Sequence, residues 1–99
     1  MSVRVEVVLP GVLAADAGGA RTLQVDLSSP ASGCVLRDVL DAVAATHPIL
    51  GRRLRDEAGT VRRHVNLFVD GDDVRRSAGQ DTGVRDGSTV LVLPNVAGG

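Results

Sequence analysis

The chain has no lysine: all 11 of its basic residues are arginine. That excludes a lysine nucleophile, a Schiff base and a phosphate loop of the GxxxxGK type. It also excludes an isopeptide bond to any of its own side chains. There is a single cysteine, Cys34, so neither an internal disulfide nor a four-thiolate iron–sulfur cluster can form within the chain. Cys34, His47 and His64 are too scattered for a zinc site, and no metal site is expected. Aromatics amount to 1%, Phe68 alone. The core must therefore come from Val, Leu and Ala. At ~25 cal/mol per Å² of buried apolar surface, such a core gives modest net stability.

Long apolar runs are also missing. No stretch approaches the ~20 residues of a membrane span. The first residues, Met1 to Leu9, carry Arg4 and Glu6 and do not read as a secretory leader. A soluble cytoplasmic protein without a membrane partner is the expectation. The net charge is -1 and the pI about 6.0, which argues against a nucleic-acid or anionic-membrane binder. The 99 residues suggest one domain, taken here as 1–94.

Val3, Val5 and Val7 alternate with Arg4 and Glu6, so a strand is predicted up to Leu9-Pro10. After a loop through Gly18-Gly19, Leu23, Val25 and Leu27 alternate again, and the two strands read as a hairpin with a long connection. The period then changes. Val35, Leu36, Val39, Leu40, Val43 and Ala44 recur at helical spacing. Pro48 should stop this helix at Thr46-His47. A short second helix is expected within Ile49–Ala58, ended by Gly59-Thr60. Val65, Leu67 and Val69 mark the clearest strand, and Asp70-Gly71 a turn. Asp72–Arg76 is predicted as a short edge strand, Ser77–Gly83 as polar loop and Ser88–Leu93 as the last strand, ended by Pro94. A hairpin, a crossover helix and further strands make an α+β fold: a mixed sheet of about five strands with one main helix on one face. The β-grasp arrangement of ubiquitin-like proteins fits this order.

Few residues suggest chemistry. Cys34 stands before the main helix, where a thiolate could be favoured, but a small loop residue is the simpler reading. His47 suits a helix C-cap and His64 the start of a strand. Arg52-Arg53-Arg55 and Arg62-Arg63 read first as a solvated face and second as an anion or partner contact. Asp70, Asp72 and Asp73 lack the bidentate Glu of a calcium loop and suit turns better. No GxSxG elbow is present.

What remains is residues 95–99, expected to form a flexible tail. The sequence ends on Gly98-Gly99, and glycines lack the Cβ that would keep a chain out of a narrow channel. Taken with Val65-Asn66, Asp73-Val74-Arg75, Ser77, Gly79, Asp86-Gly87, Leu93-Pro94 and Val96-Ala97, this end resembles the ubiquitin-like sulfur carriers of the ThiS/MoaD type. Among them it is most similar to the carriers of cysteine biosynthesis. Asn95 stands where a small residue or proline would be expected.

The resemblance implies that Gly99 is the reacting residue and that Val96, Ala97 and Gly98 lead it into a partner. It implies an adenylating enzyme of the ubiquitin-activating type using ATP and Mg²⁺, then a thiocarboxylate on Gly99. It further implies a pyridoxal-phosphate-dependent cysteine synthase and a JAMM-type zinc peptidase. The carrier itself would bind no cofactor, would be a co-substrate instead of an enzyme, and would be a monomer when free. The small subunit of molybdopterin synthase and the carriers of thiamin or specialised-metabolite synthesis are alternatives. So are a ubiquitin-like protein modifier and an inert β-grasp adaptor. Strand parity turns Phe68, Leu91 and Leu93 away from the core, an apolar patch expected to bind partners.

Overall fold

The computed structural model describes residues 2–28 and 33–94. The expected tail, with Val96, Ala97, Gly98 and Gly99, lies outside the described residues.

Strands β1 (Ser2–Val8) and β2 (Thr22–Ser28) pair antiparallel, with Val5 opposite Val25. Their connection is not plain loop: Gly11–Ala14 forms a single helical turn, α1, and Ala15–Ala17 a 3-10 turn. Gly18 (φ 68°) closes it in the left-handed region. The main helix, α2 (Leu36–Thr46), buries Leu36, Val39, Leu40 and Val43. Its first turn is held by Asp38, whose carboxylate accepts the Val35 N–H at 2.9 Å. It stops at His47, which leaves helical geometry (φ -134°, ψ 76°) ahead of Pro48.

Pro48 then opens α3 (Pro48–Leu54) at the position proline suits best. This helix ends four residues before the expected Ala58. Arg55 is extended and bridges to Val61, and the Asp56 carboxylate gathers the N–H groups of Ala58 and Thr60. Gly51 lets α3 touch α2: a Cβ there would stand 2.7 Å from the Cβ of Ala44.

Strand β4 (Val65–Val69) turns through Asp70-Gly71, both with positive φ, into β5 (Asp72–Asp73). A two-residue turn of this kind matches the twist of the strands it joins. The expected edge strand is shorter than its predicted span. Val74–Arg76 is a 3-10 turn, capped by the Asp73 carboxylate on the Arg75 N–H, and it buries Val74. Another 3-10 turn, Gly79–Asp81, lies inside the expected loop.

Two very short strands, β3 (Cys34–Val35) and β6 (Gly83–Val84), pair with each other and anchor the start of α2. The last strand is β7 (Thr89–Pro94), in which Pro94 is still paired, opposite Val65. The main sheet runs β2-β1-β7-β4-β5, with β7 parallel to β1 and antiparallel to β4. This is the mixed five-stranded β-grasp expected from the element order. α2 covers one face, over Val5, Val7, Leu67, Val90 and Val92. The other face is open.

Candidate partner-binding face and tail root

Alternation along β7 decides what the open face offers. Val90 and Val92 are fully buried, so Thr89, Leu91 and Leu93 point away from α2. Phe68 lies opposite Leu91 across the β4–β7 ladder, and Val8 lies opposite Leu91 on the β1 side. Phe68 and Leu91 are half-buried and Leu93 is exposed. With Gly71 and Thr89 these three residues line a shallow apolar depression of ≈ 340 Å³. Periodicity within β4 and β7 brings them together. Val8 belongs to the same strip and was missed, because it falls at the end of a strand whose other valines are buried. A second, more polar depression of ≈ 530 Å³ adjoins at Phe68, lined also by Asp72, Asp73, Arg76 and Ser77.

β7 is an inner strand, so the chain leaves the sheet at Pro94 between neighbours on both sides. Because β1 is parallel and β4 antiparallel, the end of β1 and the start of β4 flank this exit. His64 and Val65 stand there with Leu13 and Arg53, around a hollow of ≈ 210 Å³ that Leu93 and Pro94 also line.

The other candidates lie elsewhere. Cys34 is not a loop residue: it is 4% exposed within β3, its Sγ 3.9 Å from the Ser28 carbonyl. Its partner β6 leads into the beginning of β7, so the thiol stands at the end of the sheet opposite Pro94. His47 caps α2, its N–H donating to the Val43 carbonyl. The Asp70 carboxylate serves the turn, accepting from Ser88 Oγ and the Thr89 N–H, both at 2.9 Å. Among the described residues no group of three or more His, Cys, Asp or Glu could hold a metal ion. Two guanidinium groups are shifted upward, Arg4 by its hydrogen bond to Asp26 and then by that residue's charge, and Arg37 in the same way by Asp81. Neither is among the residues around Pro94.

The model of the ThiS family matches residues 18–99. The sulfur carrier protein CysO of Mycobacterium tuberculosis is 36% identical over 97 residues, 96% of this chain and 98% of that one. Its crystal structure superposes with a TM-score of 0.76 at 33% identity, covering 93% of this chain and 99% of that one. Small archaeal modifier protein 1 of Haloferax volcanii is 31% identical over 86% of this chain and 90% of its own. A crystal structure of the Amycolatopsis orientalis BexX/CysO complex matches with a TM-score of 0.73 at 32% identity, over 96% of this chain and 99% of that one.

Proposed function

The chain belongs to the ThiS family of sulfur carriers and ubiquitin-like modifiers, and from that premise we propose that it carries sulfur as a thiocarboxylate on Gly99. The observation that supports this most directly is the course of β7. It delivers Leu93-Pro94 to the edge of an open apolar face, with Asn95-Val96-Ala97-Gly98-Gly99 next in the sequence.

The chemistry needs activation, because a carboxylate is a poor electrophile. One oxygen of the Gly99 carboxylate attacks the α-phosphorus of ATP and displaces pyrophosphate, on an adenylating enzyme that supplies Mg²⁺. A sulfur donor then attacks the carbonyl carbon, the C–O bond to AMP breaks, and C(O)S⁻ remains. The groups that lower these barriers belong to the partner. This chain contributes the reacting carbon and a docking surface in Phe68, Leu91 and Leu93. The downstream acceptor we favour is an aminoacrylate on a pyridoxal-phosphate-dependent cysteine synthase, and a JAMM-type zinc peptidase would release the product. The similarity to CysO supports this branch over molybdopterin or thiamin synthesis. The BexX/CysO neighbour supports a mode of action by docking.

Intact-mass spectrometry after incubation with an adenylating enzyme, ATP-Mg²⁺ and sulfide tests the reading. A gain equal to sulfur replacing oxygen, lost on deleting Gly99, is the expected result. A variant lacking Gly99 that still takes up sulfur would overturn it. The similarity to a small archaeal modifier protein favours a second reading, conjugation through Gly99 to other proteins. The same experiment in a lysate would then yield heavier covalent adducts. An inert adaptor would show no change in mass.

A further inference from the structure

Among the described residues three large apolar side chains stand exposed: Val12 (74%), Ile49 (55%) and Leu93 (39%). They come from α1, α3 and β7, far apart in sequence. All three line two adjoining hollows at one end of the sheet. Val12 and Leu93 border the ≈ 210 Å³ hollow at Pro94. Ile49 borders a second of ≈ 390 Å³, with Arg52, Arg53, Arg62 and His64. Arg53 and His64 belong to both, so the hollows form one continuous surface around the root of the tail.

The charges there are unbalanced. Three arginines elsewhere pair with carboxylates, Arg4 with Asp26, Arg37 with Asp81 and Arg55 with Asp41, whereas this surface gathers three arginines, Arg52, Arg53 and Arg62, in adjoining hollows. Among the described residues only Arg53 of these three has a carboxylate, Asp16 at 3.2 Å. Arg62 donates its Nε–H to the Arg52 carbonyl at 2.6 Å, a neutral partner. The Arg52 guanidinium makes no ion pair or hydrogen bond among the described residues. Gathering like charges in this way is unfavourable for the isolated molecule, and solvent screening limits the cost. Val12 and Ile49, more than half exposed, are not part of the buried core.

Chain length says what must come close. Five residues follow Pro94 in the sequence. Fully extended they reach roughly 17 Å. An enzyme that brings its reacting groups to Gly99 must therefore stand over the surroundings of Pro94, on whichever side it approaches.

We propose that Val12, Ile49, Leu93, Arg52, Arg62 and His64 form a second docking surface, used by the adenylating enzyme that acts on Gly99, which meets it with an acidic rim around the channel that takes the tail. This rests on the sulfur-carrier reading above and adds a side of approach to it. Leu93 is the seam: it belongs both to the open sheet face and to this surface. The arginines would steer the encounter, and Val12 and Ile49 would hold it.

The test is the steady-state rate of sulfur charging by the adenylating enzyme, measured against carrier concentration at low and high salt. Arg52→Glu should raise KM about tenfold at low salt with kcat unchanged, and should flatten the salt dependence. Val12→Ser should raise KM by about threefold at either salt concentration. Both side chains are exposed, so circular dichroism should show an unchanged fold. Arg85→Glu makes the same change of net charge at the other end of the sheet, and its KM should equal that of wild type. The proposal is overturned if Arg52→Glu stays within about twofold of wild type, or if Arg85→Glu matches it. A wild-type chain that is never charged would instead overturn the carrier reading, and this surface with it.

Discussion

The two ends of β7 are built on opposite principles. Where the strand begins, Asp70, Asp86 and Ser88 all find partners within the chain. Asp70 accepts from Ser88 and Thr89, Ser88 Oγ accepts the Arg85 N–H at 3.0 Å, and Asp86 accepts the Arg4 N–H at 2.9 Å. Gly87 returns its own N–H to the Arg4 carbonyl at 2.8 Å. Where the strand ends, arginine and aliphatic side chains face water with little to hold them. The difference separates stability from recognition. Groups that complete one another inside the chain fix its shape, and groups left incomplete are free to be completed by something else.

The sharpest way to break this contrast uses two neighbours in β7. Val92→Asp would bury a carboxylate with no partner and should cost about 4 kcal/mol or more. Urea unfolding measures it, and a cost below about 1 kcal/mol would mean that the two faces are misassigned. Leu93→Asp, one residue on, should leave the urea midpoint nearly unchanged. It should instead weaken binding to the adenylating enzyme by ~2 kcal/mol, as should Phe68→Asp, read by titration calorimetry.

A smaller effect is expected at the other end. Ser88 is 2% exposed and joins two hydrogen bonds. Ser88→Ala should cost about 1–2 kcal/mol of stability while the folded protein is charged at the wild-type rate. Slower charging, with the fold intact, would show that the two ends are coupled. The smallest effect belongs to Cys34→Ser. Sulfur loading on Gly99 should be unaltered, because the thiol is buried at the far end from Pro94. Loss of loading in a folded variant would move the chemistry from the carboxylate to the thiol.

These expectations were unequally legible in the sequence. β1, β2, α2, β4 and β7 each carry enough residues for a period to show. Alternation in β4 assigns Val65 to the core, whereas β7 is apolar on both faces, so its alternation separates Val90 and Val92 from Leu91 and Leu93 and only packing shows which pair is buried. β3 and β6 have two residues each, too few to alternate, so Cys34 read as loop although pairing with Val84 buries it. α1 is a single turn between Pro10 and Gly18. A four-residue turn shows no helical stripe, and nothing in it told that Val12 would stand beside Leu93. Ile49 and Arg52 were visible as a mixed apolar and basic run. Their meeting with His64 depends on where α3 packs, which the contact of Gly51 with Ala44 decides. Parity tells which face a side chain takes, and only packing tells which end of the molecule it shares.

The central place of β7 also has a mechanical consequence. On the reading proposed above, an enzyme that took the last residues into a channel would pull on Pro94 along the axis of the strand. Ladders flank β7 on both sides, from Thr89 to Leu91 against β1 and from Val90 to Pro94 against β4. The hydrogen bonds to β4 lie perpendicular to that pull and those to β1 slant across it, so tension would load them side by side in shear and not open them one at a time. On that reading the folded domain would thus bear a pull on its last residues without unravelling, as a rope set into the middle of a plank holds better than a thread along its edge.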